Sequence, residues 1–111
     1  MIDPRTRLAA VMERAGIDAA DVARILDRPP RSVSRWLKED AEPRWESRER
    51  LLEVTFVMER LCQVIAPKAA QDWLFTPNTE LGYSKPVELL RQGKFREVLA
   101  LIDALGEGVY T

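Results

Sequence analysis

There is no histidine in these 111 residues, and only one cysteine. Without an imidazole, neither a Ser-His-Asp nor a Cys-His nucleophile arrangement can be assembled within the chain. One thiol and no imidazole also leave too few ligands for a structural or catalytic zinc site. No disulfide can close inside the chain, which suits a reducing compartment, so a cytoplasmic protein is expected. Cys62 lies beside Leu61, Val64 and Ile65 and reads as a small buried hydrophobe rather than a reactive thiol. No apolar run approaches the roughly 18–20 residues of a membrane span. The opening Met1-Ile2-Asp3-Pro4-Arg5 lacks the apolar stretch of a secretory signal. Glycine is scarce, at five residues, and strand-like alternation is missing. The expectation is an all-α protein that is not an enzyme, with no cofactor, no metal, no membrane and no small-molecule substrate of its own.

What is present is a folded-domain balance, 46% apolar and 32% charged residues. The net charge of −1 hides a concentration of positive charge. Arg24, Arg28, Arg31, Arg35 and Lys38 face a single acid, Asp27, within one short stretch, whereas acids outnumber bases from Ala41 onward.

Helical spacing divides the chain into segments. Leu8, Val11, Met12 and Ala15 recur on one face, with Pro4 suited to a first turn and Gly16 to a stop. Asp18 offers an N-cap supported by Asp21, and Val22, Ala23, Ile25 and Leu26 follow. Arg28-Pro29-Pro30 ends that second helix. A third is expected from about Arg31 to Glu39, and Ala41-Glu42-Pro43 reads as a connector. The longest periodic stretch, about Trp45 to Ile65, carries a stripe of Leu51, Val54, Met58, Leu61, Cys62 and Ile65. Leu52, Phe56 and Val57 add apolar surface beyond it. A helix apolar on more than one side must be covered on more than one side. It is either a central core helix or one covered by a second copy, and on the latter reading Leu52, Phe56 and Val57 form a homodimer interface. Further helices are expected from Pro67 to Phe75, from Pro86 to Gln92 and from Phe95 to Gly106.

Three short helices with a tight turn between the second and third have the proportions of a helix-turn-helix. In the third, Val33, Trp36 and Leu37 would face inward. Arg31, Ser32, Ser34, Arg35 and Lys38 would face outward, offering phosphate contacts and donors for guanine edges. Residues 1–42 therefore read as a DNA-binding-like domain, with operator DNA as its partner. So few contacts imply a dimer reading two half-sites.

The remainder, 43–111, carries a more specific pattern: Ala70-Gln71-Asp72-Trp73-Leu74-Phe75-Thr76-Pro77-Asn78, then Leu81-Gly82, then Lys85-Pro86-Val87-Glu88-Leu89-Leu90, then Gly108-Val109-Tyr110-Thr111. In this order these segments resemble the toxin-binding domain of the Xre/MbcA/ParS antitoxins. That resemblance implies a type II toxin–antitoxin module whose partner is a RES-domain toxin, one that consumes NAD or transfers ADP-ribose from it. It also implies dimers, repression of the module's own operon, and a C-terminal end that reaches the toxin's NAD pocket.

The residues give that last implication a physical form. Gly106 and Gly108 release the chain from its last helix, leaving Val109, Tyr110 and Thr111 as a tail with an aromatic anchor. On the residues alone such a tail folds back on its own core; the resemblance favours toxin binding through Gly108, Val109, Tyr110 and Thr111. Trp73, with Leu74 and Phe75, is expected in the core. Arg91, Lys94 and Arg96 either form a solvated face or meet an acidic toxin surface. A stand-alone transcriptional regulator, its second half serving only to dimerise, is the rival reading; a scaffold that never touches DNA is another.

Overall fold

The first helices are bounded by local chemistry. The computed structural model describes residues 3–38 and 42–108. Helix α1, Pro4–Ala15, is capped by Asp3, whose side chain accepts the Arg5 N–H at 2.8 Å, and it stops at Gly16 in the left-handed region, φ +67°. Helix α2, Ala19–Leu26, starts in a reciprocal capping box. Asp18 accepts the Asp21 N–H at 2.8 Å, and Asp21 accepts the Asp18 N–H at 3.3 Å. It ends one residue before the predicted break, at Asp27 with φ +55°, a region that aspartate tolerates. Helix α3, Pro30–Leu37, opens on a proline whose missing N–H costs nothing in the first turn. The expected end of α3 at Glu39 falls outside the described residues.

Helix α4, Trp45–Val64, is the axis of the molecule. Two short helices follow, α5, Ala70–Phe75, entered through a 3₁₀ turn at Pro67–Ala69, and α6, Pro86–Arg91. Between them, a turn at Thr79–Leu81 and an isolated antiparallel bridge between Asn78 and Ser84 close the loop. Helix α7, Phe95–Gly106, completes the described chain.

Both α1 and α7 pack on α4 and bury most of its apolar surface. On that arrangement α4 is a core helix of the protomer, with Phe56 left at the surface. Val57 is wholly buried, so its expected place in a homodimer interface is corrected: it belongs to the protomer's own core. Leu52 is half-buried and Phe56 is 48% exposed. A single core runs from Leu8, Val22 and Val33 through Leu61 to Leu74, Leu90 and Ile102. Helices α1 to α3 and the segment after them therefore share one apolar interior. Thr55, buried within this core, satisfies its hydroxyl by donating to the Leu51 carbonyl at 2.6 Å.

Helix α2 is joined to the second half by polar links at helical spacing. Asp21 accepts from Gln71 at 2.9 Å, the Arg24 guanidinium sits 4.9 Å over the Phe75 ring, and Asp27 pairs with Arg91 at 3.5 Å. Residues 21, 24 and 27 recur every third position and so lie along one stripe. This seam anchors the turn that precedes α3.

Candidate functional site

Helix α3 divides as its spacing predicts. Val33 is fully buried, Trp36 nearly so, and Leu37 half-buried. Arg31, Arg35 and Lys38 are exposed and Ser34 half-exposed; their positions at i, i+3, i+4 and i+7 place them on one outward face. Ser32 stands aside from that group and lines a groove between α3 and the start of α4. That groove, of about 500 Å³, is lined by the cations Arg28, Arg35 and Arg44 and the acids Glu42 and Glu46, with Ser32, Trp36 and Ser47 between them.

Arg28 is held in place, its Nε donating to Ser47 Oγ at 2.9 Å. Among the described residues, Arg31, Arg35, Lys38 and Arg44 form no ion pair. Arg44 was not recognisable from the sequence as part of this face, because only packing of α4 against α3 brings it there. Arg28 was legible as a cation but not as a groove residue, since its partner Ser47 lies nineteen positions away.

At the other end of the molecule, α7 terminates in the exposed run Gly106-Glu107-Gly108. The Gly108 N–H donates to the Leu105 carbonyl at 3.1 Å, and Gly108 has φ +72°. A Cβ added at Gly106 would stand 3.2 Å from a Val64 methyl group, so the last turn of α7 lies tightly on the end of α4. Val109, Tyr110 and Thr111, the rest of the expected toxin-binding set, lie outside the described residues.

Near that end of α4, Ile65, Ala69, Trp73, Pro77 and Asn78 border an open, largely apolar groove of about 390 Å³. Trp73 is half-buried, packed against the core on one side and bordering this groove on the other. Arg91 pairs with Asp27 and with Glu88, each at 3.5 Å, while Lys94 and Arg96 are exposed. Two exposed aromatic residues were not singled out by the sequence pattern, Trp45 at the start of α4 and Tyr83 in the loop before α6. Cys62 is buried as expected, and desolvation pushes its thiol pKa upward, opposite to the shift that makes a cysteine reactive.

Residues 65–108 match the family model described as the antitoxin Xre/MbcA/ParS C-terminal toxin-binding domain. The chain is 39% identical to the mycobacterial cidal antitoxin MbcA of Mycobacterium tuberculosis over 103 residues, covering 93% of this chain and 91% of that protein. The same figures hold for the MbcA of Mycobacterium bovis. Among solved structures, the chain is similar to one in the crystal structure of the M. tuberculosis MbcT-MbcA toxin–antitoxin complex. That match has a TM-score of 0.89 at 36% identity and covers 100% of both chains.

Proposed function

Because the chain belongs to the Xre/MbcA/ParS family of antitoxins, we propose that it binds and silences a RES-domain toxin that consumes NAD or transfers ADP-ribose from it. The observation that carries this reading is the full-length likeness, in sequence and in fold, to an antitoxin chain solved in a toxin–antitoxin complex. Its place of action is the cytoplasm, where NAD is held; among the described residues no helix is long and apolar enough to cross a membrane.

The inhibitory element in this reading is the C-terminal tail. The packed end of α7 fixes its origin, and Gly108, at φ +72°, lets the chain turn away from the helix. Val109, Tyr110 and Thr111 then enter the toxin's NAD site, Tyr110 as the anchor, because an aromatic ring with a polar tip fills a concave site at low ordering cost. The test is NAD content in cells making a candidate RES-domain toxin from an adjacent reading frame, with this chain either intact or ended after Glu107. Intact chain should preserve NAD, and the shortened chain should still bind the toxin yet fail to preserve it. Equal protection by both would place inhibition in the domain body and remove the tail from the account.

The same protein represses its own operon in this reading, through α3 presented by a homodimer. Arg31, Ser34, Arg35 and Lys38 face the major groove, with Ser32 at its edge. Arg28 and Arg44 meet the phosphates that flank it, since arginine donors in a groove suit an anionic backbone. With Val57 in the core, the dimer surface on α4 reduces to Leu52 and Phe56. Arg35→Ala should weaken binding to the promoter region with helical content unchanged; undiminished binding would exclude α3 as the reading helix.

A further inference from the structure

We propose that Tyr83 is an anchor through which this chain docks its toxin, an inference that rests on the antitoxin reading above. The turn Leu81-Gly82-Tyr83-Ser84 is closed by the Ser84 N–H donating to the Leu81 carbonyl at 3.1 Å. Both central residues have positive φ, +62° at Gly82 and +68° at Tyr83. Two positive φ angles in succession belong to type I′ turns, where Asn-Gly, Asp-Gly and Gly-Gly are preferred because few other side chains accept that backbone. Gly82 obeys the preference. Tyr83 breaks it.

Among the described residues, the other non-glycine residue with positive φ is Asp27, a residue type that visits this region readily. A tyrosine does not, and such strain persists only where the surroundings enforce it. Here they do. The Tyr83 N–H donates to the Asn78 carbonyl at 2.9 Å, the Asn78 N–H to the Ser84 carbonyl at 3.0 Å, and Asn78 Oδ1 accepts the Glu80 N–H at 2.9 Å.

Little of the Tyr83 side chain is buried in return. The side chain of Tyr83 is 73% exposed, and among the described residues its hydroxyl takes part in no hydrogen bond. A largely exposed ring on a strained turn is suited to a contact between molecules. Tyrosine is favoured there because it carries much contact area on few rotatable bonds.

Its position names the partner. Tyr83 lies within residues 65–108, the span matched to the family's toxin-binding domain. Asn78, its hydrogen-bond partner, also borders the apolar groove lined by Ile65, Trp73 and Pro77. The complementary surface is a pocket on the toxin with apolar walls for the ring and a polar group at its floor for the hydroxyl.

The experiment compares the intact chain with Tyr83→Gly and Tyr83→Phe, measuring affinity for a purified candidate RES-domain toxin from an adjacent reading frame, melting temperature and mass in solution. Tyr83→Gly suits the turn, so its melting temperature should equal or exceed that of the unaltered chain. Its affinity for the toxin should fall about 30-fold or more, the loss expected of an interface anchor. Tyr83→Phe keeps the ring and should stay within about tenfold of the unaltered chain, the worth of one hydrogen bond. Toxin affinity of Tyr83→Gly within threefold of the unaltered chain would overturn the proposal. So would a change in the free chain's mass on that substitution, which would assign the ring to a second copy. A lowered melting temperature would overturn the strain argument beneath it. If the unaltered chain itself fails to bind the toxin, the antitoxin reading falls, a result distinct from loss in the variant alone.

Discussion

Two adjacent substitutions on α4 separate folding from assembly. Val57 is wholly buried, whereas Phe56 is 48% exposed, so a glutamate at each position meets a different environment. At Val57 the carboxylate enters the interior between α4 and its neighbours. An unpaired buried ion costs several kcal/mol even after relaxation, and loss of the valine's own burial adds about 1.5 kcal/mol or more. Against a typical total stability of about 5–15 kcal/mol, Val57→Glu should abolish cooperative melting or lower its midpoint by well over 10 °C. At Phe56 the glutamate points into water. Half the burial worth of a phenylalanine side chain is about 1 kcal/mol, or about 4 °C of melting temperature in a protein of this size. Thermal unfolding followed by circular dichroism, with sedimentation equilibrium on the same samples, reads both effects. If α4 carries the homodimer surface, Phe56→Glu should be folded and monomeric. A folded Val57→Glu melting within a few degrees of the unaltered chain would refute the placement of α4 at the centre of the fold. A Phe56→Glu protein that keeps the dimer mass would move the interface elsewhere, and a monomeric starting protein would remove the dimer altogether.

Other outcomes follow from single features. Asp18→Ala removes the side-chain acceptor of the α2 capping box and should cost about 1 kcal/mol, seen as a drop of about 4 °C; Asp18→Ser should recover most of it. Cys62 should resist a thiol-specific disulfide reagent in the folded protein and react stoichiometrically once guanidinium unfolds it; labelling at the rate of free cysteine would contradict its burial. Because burial raises its pKa, the folded thiol keeps its proton to a higher pH than the unfolded one. That contribution to stability is complete below the ordinary thiol range and is lost as pH rises through the elevated value. Alkaline unfolding midpoints of the unaltered protein and Cys62→Ala should differ in that sense, with the variant less sensitive above the ordinary thiol range.

Much of this fold was legible because it is locally encoded. Asp18 is a cap that acts within three residues of itself, and Pro4 and Pro86 each suit a first helical turn. Gly16 stops its helix by accepting a left-handed backbone. The inward trio on α3 follows from periodicity alone. What covers α4 could not be read the same way, because an apolar face looks identical whether α1 and α7 or a second copy lies against it; that ambiguity misplaced Val57. The groove residues Arg28 and Arg44 meet only through contacts distant in sequence. Tyr83 was missed for another reason: Gly82-Tyr83 does not spell a type I′ turn, and its strain becomes visible only once the backbone angles are known.

Survival of cells producing a RES-domain toxin, with and without this chain, alongside isolation of the complex, tests the antitoxin reading most directly. The account predicts that co-production restores growth and NAD content, and that the two proteins purify together. Continued toxicity at matched levels of both soluble proteins, with no complex recovered, would contradict it.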